Sequence, residues 1–303
     1  MIWFLRRLLQ VLLSLWLLAT ITFFLMRAFP GSPFDDEVTL HPDVRAQLER
    51  QYDLGKSASE QYLKFLGGLV QGNFGTSQFF AGQDAKDIIL HTFPVTLTLA
   101  LGALLLAILA GALLSFWAVL SRPGYLAYEV ITLSFLSTPI LLAGPLLILV
   151  FGFRLNILPV ALLESPLSYI LPIIAVSLRP MASISRLLYT NLSDNHREDF
   201  LRTSRALGFS EVQILLKWNL RNSLVPLLAY LGPLAAVLMA GSTMVEVVFG
   251  IPGLGSQFVE SVLNRDSSMV IGLTLFYGFF ILIFQLVVDV LVAVLDPRVR
   301  ADQ

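Results

Sequence analysis

Little in this chain is placed to make or break a covalent bond. It contains no cysteine, which excludes disulfides, thiolate metal sites, iron–sulfur ligation and cysteine nucleophiles. His41, His91 and His196 are far apart, and none has a second ligand at helical spacing, so neither a metal centre nor a general base is indicated. No Ser–His pair, paired aspartates or HExxH run is set out for hydrolytic chemistry. Gly55, Lys56 and Ser57 spell the end of a phosphate-binding loop, but the pattern needs a glycine where Arg50 stands. What remains are ionisable residues inside apolar stretches. Glu129, Arg179 and Asp289 are costly to bury in lipid, which makes them candidate pore-lining groups or ion pairs. Arg27 and Asp296 stand near the ends of such stretches, where they snorkel or cap.

The elements that must position these residues are membrane helices. The 303 residues are 56% hydrophobic and 14% charged, with a mean hydropathy of +0.77, values of an integral membrane protein. Six stretches reach the roughly 20 apolar residues that cross a bilayer: Leu8–Phe29, Pro94–Leu120, Tyr125–Phe153, Tyr169–Leu188, Leu224–Val247 and Met269–Leu295. The apolar run after Arg6 and Arg7 is longer than a signal-peptide core, so it reads as a retained helix. Pro139, Pro145, Pro172, Pro180 and Pro233 fall in or near the spans and predict kinks. With six spans, Arg6, Arg7, Arg122, Arg186, Arg197, Arg202, Arg205, Lys217, Arg221, Arg298 and Arg300 share one face, which predicts two cytoplasmic termini. The opposite, acid-rich face receives a long segment, 31–93, with helices expected at Pro42–Tyr52 and Ser59–Val70. The expected organisation is therefore 1–30 (tail and first span), 31–93 (outer segment with short helices) and 94–303 (a five-helix core).

Within that core, residues 195–222 form a cytoplasmic segment too long and too basic for a plain connector. Asn195 with Glu198, and Ser210 with Gln213, have the spacing of capping boxes, and Gly208 lies between them as a left-handed helix terminator. The segment reads as helix, turn, helix. Phe200, Leu201 and Leu207 give the first helix an apolar surface beside Arg202 and Arg205. The same composition also suits an amphipathic helix lying on anionic lipid.

The run Arg202, Thr203, Ser204, Arg205, Ala206, Leu207, Gly208, followed by a second helix and Asn-Ser-Leu-Val-Pro, resembles the coupling motif of ATP-binding-cassette importer permeases. Arg202 replaces the glutamate of the general motif, and Thr203 and Ser204 replace its alanines, a version similar to the oligopeptide and dipeptide branch. FFLMRAFPGSPF from Phe23, LERQYDL from Leu48, GNFGTS from Gly72, GSTMVEVVFGIPGLG from Gly241, LNRD from Leu263 and VVDVLVAVLDPRVR from Val287 resemble the same branch. The long first outer loop and the lack of an N-terminal extension look like its B-type subunit.

The resemblance implies an all-α, six-span permease of the type I importer fold with cytoplasmic coupling helices. It would import short peptides as a heterodimer with a related permease. It carries no cofactor and no catalytic residues itself; ATP and Mg belong to two cytoplasmic ATPase subunits, and an outside binding protein delivers the peptide. Coupling falls to Phe200, Arg202, Thr203, Ser204, Arg205, Ala206, Leu207 and Gly208. The Gly- and Pro-rich loop with Glu246, Gly250, Pro252, Gly253 and Gly255, and the nearby Asn264, Arg265 and Asp266, form a candidate outer gate or binding-protein contact, with a plain loop and short helix as the alternative. Same-branch cargoes such as glutathione, antimicrobial peptides or chelated nickel fit equally. An ion-coupled secondary transporter using Glu129, Arg179 and Asp289 is the rival class, although no pair of similarly broken segments occurs in inverted halves.

Overall fold

In hydrocarbon a chain must satisfy its own backbone hydrogen bonds, and an apolar run of this length does so as a helix. The computed structural model describes residues 2–28, 57–80, 82–121, 124–195 and 199–295, and these are helical almost throughout. In chain order the helices are α1 (Ile2–Ala28), α2 (Ala58–Val70), α3 (Ala85–Leu120), α4 (Tyr125–Ser137), α5 (Ile140–Leu147), α6 (Ile170–Asn195), α7 (Asp199–Ala206), α8 (Glu211–Ile214), α9 (Leu220–Phe249), α10 (Leu254–Leu263) and α11 (Ser267–Leu295). Wider π turns extend α5 over Ile148–Arg154 and join α8 to α9 over Leu215–Asn219. The expected helix at Pro42–Tyr52, together with His41, Gly55, Lys56 and His196, lies outside the described residues.

Among the described residues, five helices are long and apolar enough to cross a membrane: Leu5–Ala28, Ala85–Leu120, Pro166–Ser193, Ser223–Phe249 and Ser267–Leu291. The sixth expected span is not one straight helix. Tyr125–Ser137 and Ile140–Arg154 meet at 105°. Pro139 has no N–H to give and disfavours helical geometry in the residue before it, and Thr138 is accordingly extended (φ -75, ψ 116). α3 starts nine residues earlier than expected from its apolar run, at Ala85 rather than Pro94, carrying a helical turn structure beyond the apolar stretch.

The chain divides into two compact units. The first comprises Met1–Pro94 and Ser256–Phe279. In it α2 is started by a Ser57/Glu60 capping box and held to α1 by a Thr20–Tyr62 hydroxyl contact of 2.7 Å and by stacking of Phe23 on Phe65 at 5.3 Å. Ser57, the last residue of the apparent phosphate-loop remnant, is thus a helix cap. A side chain at Gly278 would strike Leu18, so this glycine is what allows α11 to close on α1. The second unit comprises Val95–Gly255 and Phe280–Gln303. At its centre is α6. The buried, four-residue-spaced row Ala103, Ala107, Gly111 and Ser115 lets the α3 backbone approach α6, where the Gly111 position faces the Met181 carbonyl and Ile184.

Candidate functional site

The segment between α6 and α9 is built as its short-range signals require. α7 ends in a Schellman turn: the Phe209 N–H donates to the Ser204 carbonyl at 3.2 Å, the Gly208 N–H donates to the Arg205 carbonyl at 3.0 Å, and Gly208 takes φ +86. Ser210 then starts α8, its hydroxyl accepting the Gln213 N–H while the Gln213 side chain accepts the Ser210 N–H at 3.0 Å. Asn195 is the last residue of α6, and its expected partner Glu198 lies outside the described residues, as do the side chains of Phe200, Leu201 and Arg202.

Two contacts fix the angle of this turn. The Arg205 guanidinium donates to both Glu211 oxygens, at 2.8 and 3.3 Å. The bonded carboxylate holds the Arg205 side chain above the ordinary arginine pKa. The Lys217 ammonium lies 5.8 Å from the centre of the Phe209 ring. Farther in, the buried Asn219 amide donates to the Leu192 carbonyl at 2.9 Å, tying the exit of the segment to the end of α6. Ser204, Ile214 and Leu215 turn inward, whereas Leu207 (72% exposed), Val212 (49%) and Leu216 (52%) face outward. These are three large apolar side chains exposed on a segment outside the spans.

The candidate outer-gate residues fall into two hydrogen-bonded latches, one in each unit. In the second unit Glu246 is fully buried. Its carboxylate accepts from the Thr96 hydroxyl at 2.8 Å, the Ser242 hydroxyl at 3.0 Å and the Gly255 N–H at 2.7 Å, and the Thr96 oxygen itself accepts the Leu254 N–H at 2.8 Å. Gly250 (φ +62) ends α9 in a second Schellman turn, and a side chain at Gly253 would collide with Glu246 and Thr96. Pro252 is exposed at the tip of the turn. In the first unit Asp266, also fully buried, accepts from the Ser77 hydroxyl at 2.5 Å, from the N–H groups of Gln78 and Phe79 at 3.0 and 3.2 Å, and from the Met269 N–H at 3.1 Å. Asn264 and Arg265 make the turn before it. Arg265 occupies the left-handed terminator position (φ 55) that glycine holds in the other two turns. Glu246 and Asp266 therefore hold loops in place, while Gly250, Pro252 and Arg265 are the exposed members of the group.

Glu129, Arg179 and Asp289 are not brought together. Glu129 accepts from the Tyr125 hydroxyl at 2.8 Å beside the ring cluster of Tyr125, Tyr128 and Tyr189, and Asp289 accepts from Gln285 at 3.1 Å. Arg179 is exposed on α6 and pairs with neither among the described residues. His91 is exposed on α3, and the described residues contain no group of three metal-ligating side chains. Thr96, Ser242, Ser77 and Asn219 are the working residues that sequence reading did not find. Thr96 stands 150 positions from Glu246, and Ser77 stands 189 from Asp266.

These features define a helical membrane protein of several spans with a capped helix–turn–helix between α6 and α9. The chain belongs to the family described as binding-protein-dependent transport system inner membrane component, whose pattern matches residues 103–301. It is 37% identical over 298 residues to the dipeptide transport system permease protein DppB of Lactococcus lactis subsp. cremoris, covering 98% of each chain. It is 36% identical over 299 residues to the oligopeptide transport system permease protein OppB of Haemophilus influenzae, covering 97% of this chain and 98% of that one. Its fold matches an amino acid ABC transporter solved with histidines, at a TM-score of 0.53 and 17% identity over 68% of this chain and 92% of that one. It is accordingly a multi-pass inner-membrane permease subunit of the oligopeptide/dipeptide ABC importer family, a family that works with a binding protein and an ATPase.

Proposed function

We propose that this chain is one of two related permeases that together form the path by which short peptides enter the cytoplasm. Two cytoplasmic ATPase subunits, which hold the ATP and Mg, drive it, and an outer binding protein delivers the peptide. Both termini are cytoplasmic, in keeping with the distribution of Lys and Arg. The chain itself performs no bond chemistry. The observation that carries this reading is the exposed row Leu207, Val212 and Leu216 on a turn stiffened by the Gly208 terminator, the Arg205–Glu211 pair and the Asn219–Leu192 bond. That combination is a lever: an apolar surface for an ATPase to grip, joined rigidly to α6 and α9. The relatives named for dipeptide and oligopeptide transport supply the cargo class.

The test is to extract the complex in mild detergent through a C-terminal tag, weigh it by native mass spectrometry, and assay peptide uptake after reconstitution. Two ATPase chains and a second permease, with ATP-dependent peptide uptake, are expected. A lone or self-paired chain that remains folded would refute the reading. Within the complex, Gly208→Asp forces a side chain into the left-handed region but meets no neighbour within 4 Å. It should assemble and hydrolyse ATP yet import little peptide, and wild-type uptake by this variant would remove the lever from the mechanism.

A further inference from the structure

Every unbroken spanning helix but one turns large apolar side chains outward. Leu9 and Leu13 of α1, Leu109 and Leu113 of α3, Val237 of α9 and Leu291 of α11 are all exposed, as a lipid-facing surface requires. α6 is the exception. In its span 56% of the most apolar window is buried, against 17–33% for the other four. Between Ser168 and Ser193 its exposed residues are Arg179, Arg186 and Thr190, with Ser183 half-exposed between them. Residues 179, 183, 186 and 190 fall on one stripe of a helix. From Arg179 onward, the face that α6 leaves exposed is thus cationic and hydroxylic, while no residue from Ser168 to Leu178 is exposed.

Arg179 stands at the midpoint of the span Pro166–Ser193. No carboxylate among the described residues pairs with it, and the Ser183 hydroxyl beside it is engaged with the Arg179 carbonyl at 3.1 Å. A guanidinium at that depth is not stable against hydrocarbon and belongs on a water-filled cavity or against an anion. We infer that this stripe lines the translocation path and that Arg179 is a midmembrane site for the carboxylate of the passing peptide. The inference rests on the peptide-import reading above.

The chemistry suits the task. A guanidinium presents a planar fork that matches a carboxylate in two hydrogen bonds. Linear peptides share a terminal carboxylate whatever their side chains, so one fixed cation holds many cargoes in the same register. The site is open to water on one side, which keeps the contact weak enough for the cargo to leave, as any conduction path demands. Arg186 lies two turns farther along the same stripe, about 10 Å at helical rise, and provides a second station.

The experiment uses the complete importer in proteoliposomes, with binding protein preloaded separately with labelled trialanine, trialanine C-terminal amide and Ala-Glu-Ala amide. For Arg179→Gln, the initial rate of trialanine uptake is expected to fall about tenfold, the equivalent of one charge-assisted hydrogen-bonded contact. Trialanine amide should change less than about twofold, with ATPase activity and intact mass unaltered. Arg179→Lys should recover most of the loss. Loss of Ala-Glu-Ala amide uptake would show that side-chain carboxylates use the site too, whereas its retention would confine the site to the peptide terminus; both support carboxylate recognition. An equal loss for trialanine and its amide would overturn the inference. So would unchanged trialanine uptake, or separation of the two permeases in Arg179→Gln, which would make Arg179 one half of an ion pair between subunits. A wild-type complex that hydrolyses ATP but moves none of the three peptides would instead defeat the peptide-import reading itself.

Discussion

Glu246 offers a sharp test of how the outer loop is held. Its carboxylate serves donors of two kinds: the hydroxyls of Thr96 and Ser242, which can rotate, and the Gly255 N–H, which cannot. Glu246→Gln can be accommodated. With its amide oxygen toward Gly255 and its amide nitrogen toward the two hydroxyl oxygens, the Ser242 proton keeps the Met239 carbonyl it already reaches at 2.9 Å. The Thr96 proton turns to its own helix. The loss is the charge on one acceptor, about 1 kcal/mol. Glu246→Leu is similar in size and opens little cavity, and the Thr96 and Ser242 protons turn to their own helices as before, but it strands the Gly255 N–H in a fully buried site. At about 3 kcal/mol for this orphaned donor, the cost exceeds that of Glu246→Gln by about 2 kcal/mol. That gap corresponds to roughly 4–8 °C in unfolding midpoint at the scaling of large domains. Thermal unfolding of the purified complex in mild detergent, following this subunit's tryptophans, measures it. Equal midpoints for the two variants, or a Leu variant as stable as wild type, would refute the reasoning that backbone rigidity sets the cost.

Three further outcomes follow from the same kind of accounting. Arg265→Gly relieves a left-handed residue (φ 55) and should stabilise the subunit by about 1 kcal/mol, read as a raised unfolding midpoint; a lowered one would mean that the arginine side chain makes a contact worth more than the strain. Glu211→Gln breaks a pair whose side chains are 33% and 51% exposed, so the midpoint should move by the equivalent of less than about 1 kcal/mol, with less effect still at high salt. Asn219→Leu leaves the buried Leu192 carbonyl without its donor and should cost about 2 kcal/mol while loosening the lever, seen as lower uptake per ATP hydrolysed; full coupling in this variant would show that the Asn219 bond only stabilises.

What could be read from the sequence was local. Apolar runs located the spans, and the Ser210–Gln213 spacing with Gly208 before it predicted the helix–turn–helix, because capping boxes and glycine terminators act within a few residues. The break at Thr138–Pro139 was foreshadowed by proline, but not its 105° size, which depends on what the two halves pack against. The latches were invisible for a different reason. Thr96, Ser77 and Asn219 are ordinary polar residues whose partners lie far away in the chain, and nothing in their immediate sequence distinguishes them from solvent-facing ones. The left-handed turn at Arg265 escaped notice because residues with a Cβ seldom take the position that glycine fills at Gly208 and Gly250. The acids at 246 and 266 drew attention as charges near an outer loop, yet each turned inward to collect backbone donors.

The outward row of Leu207, Val212 and Leu216 also bears on how much of this protein a cell can hold. On the proposed reading an ATPase covers this row, and until it does the row is the kind of water-facing apolar surface that chaperones and proteases recognise. On that reading a copy made in excess of its partners is marked for removal by the same residues that make it useful once assembled, and the supply of ATPase subunits would set the lifetime of the permease.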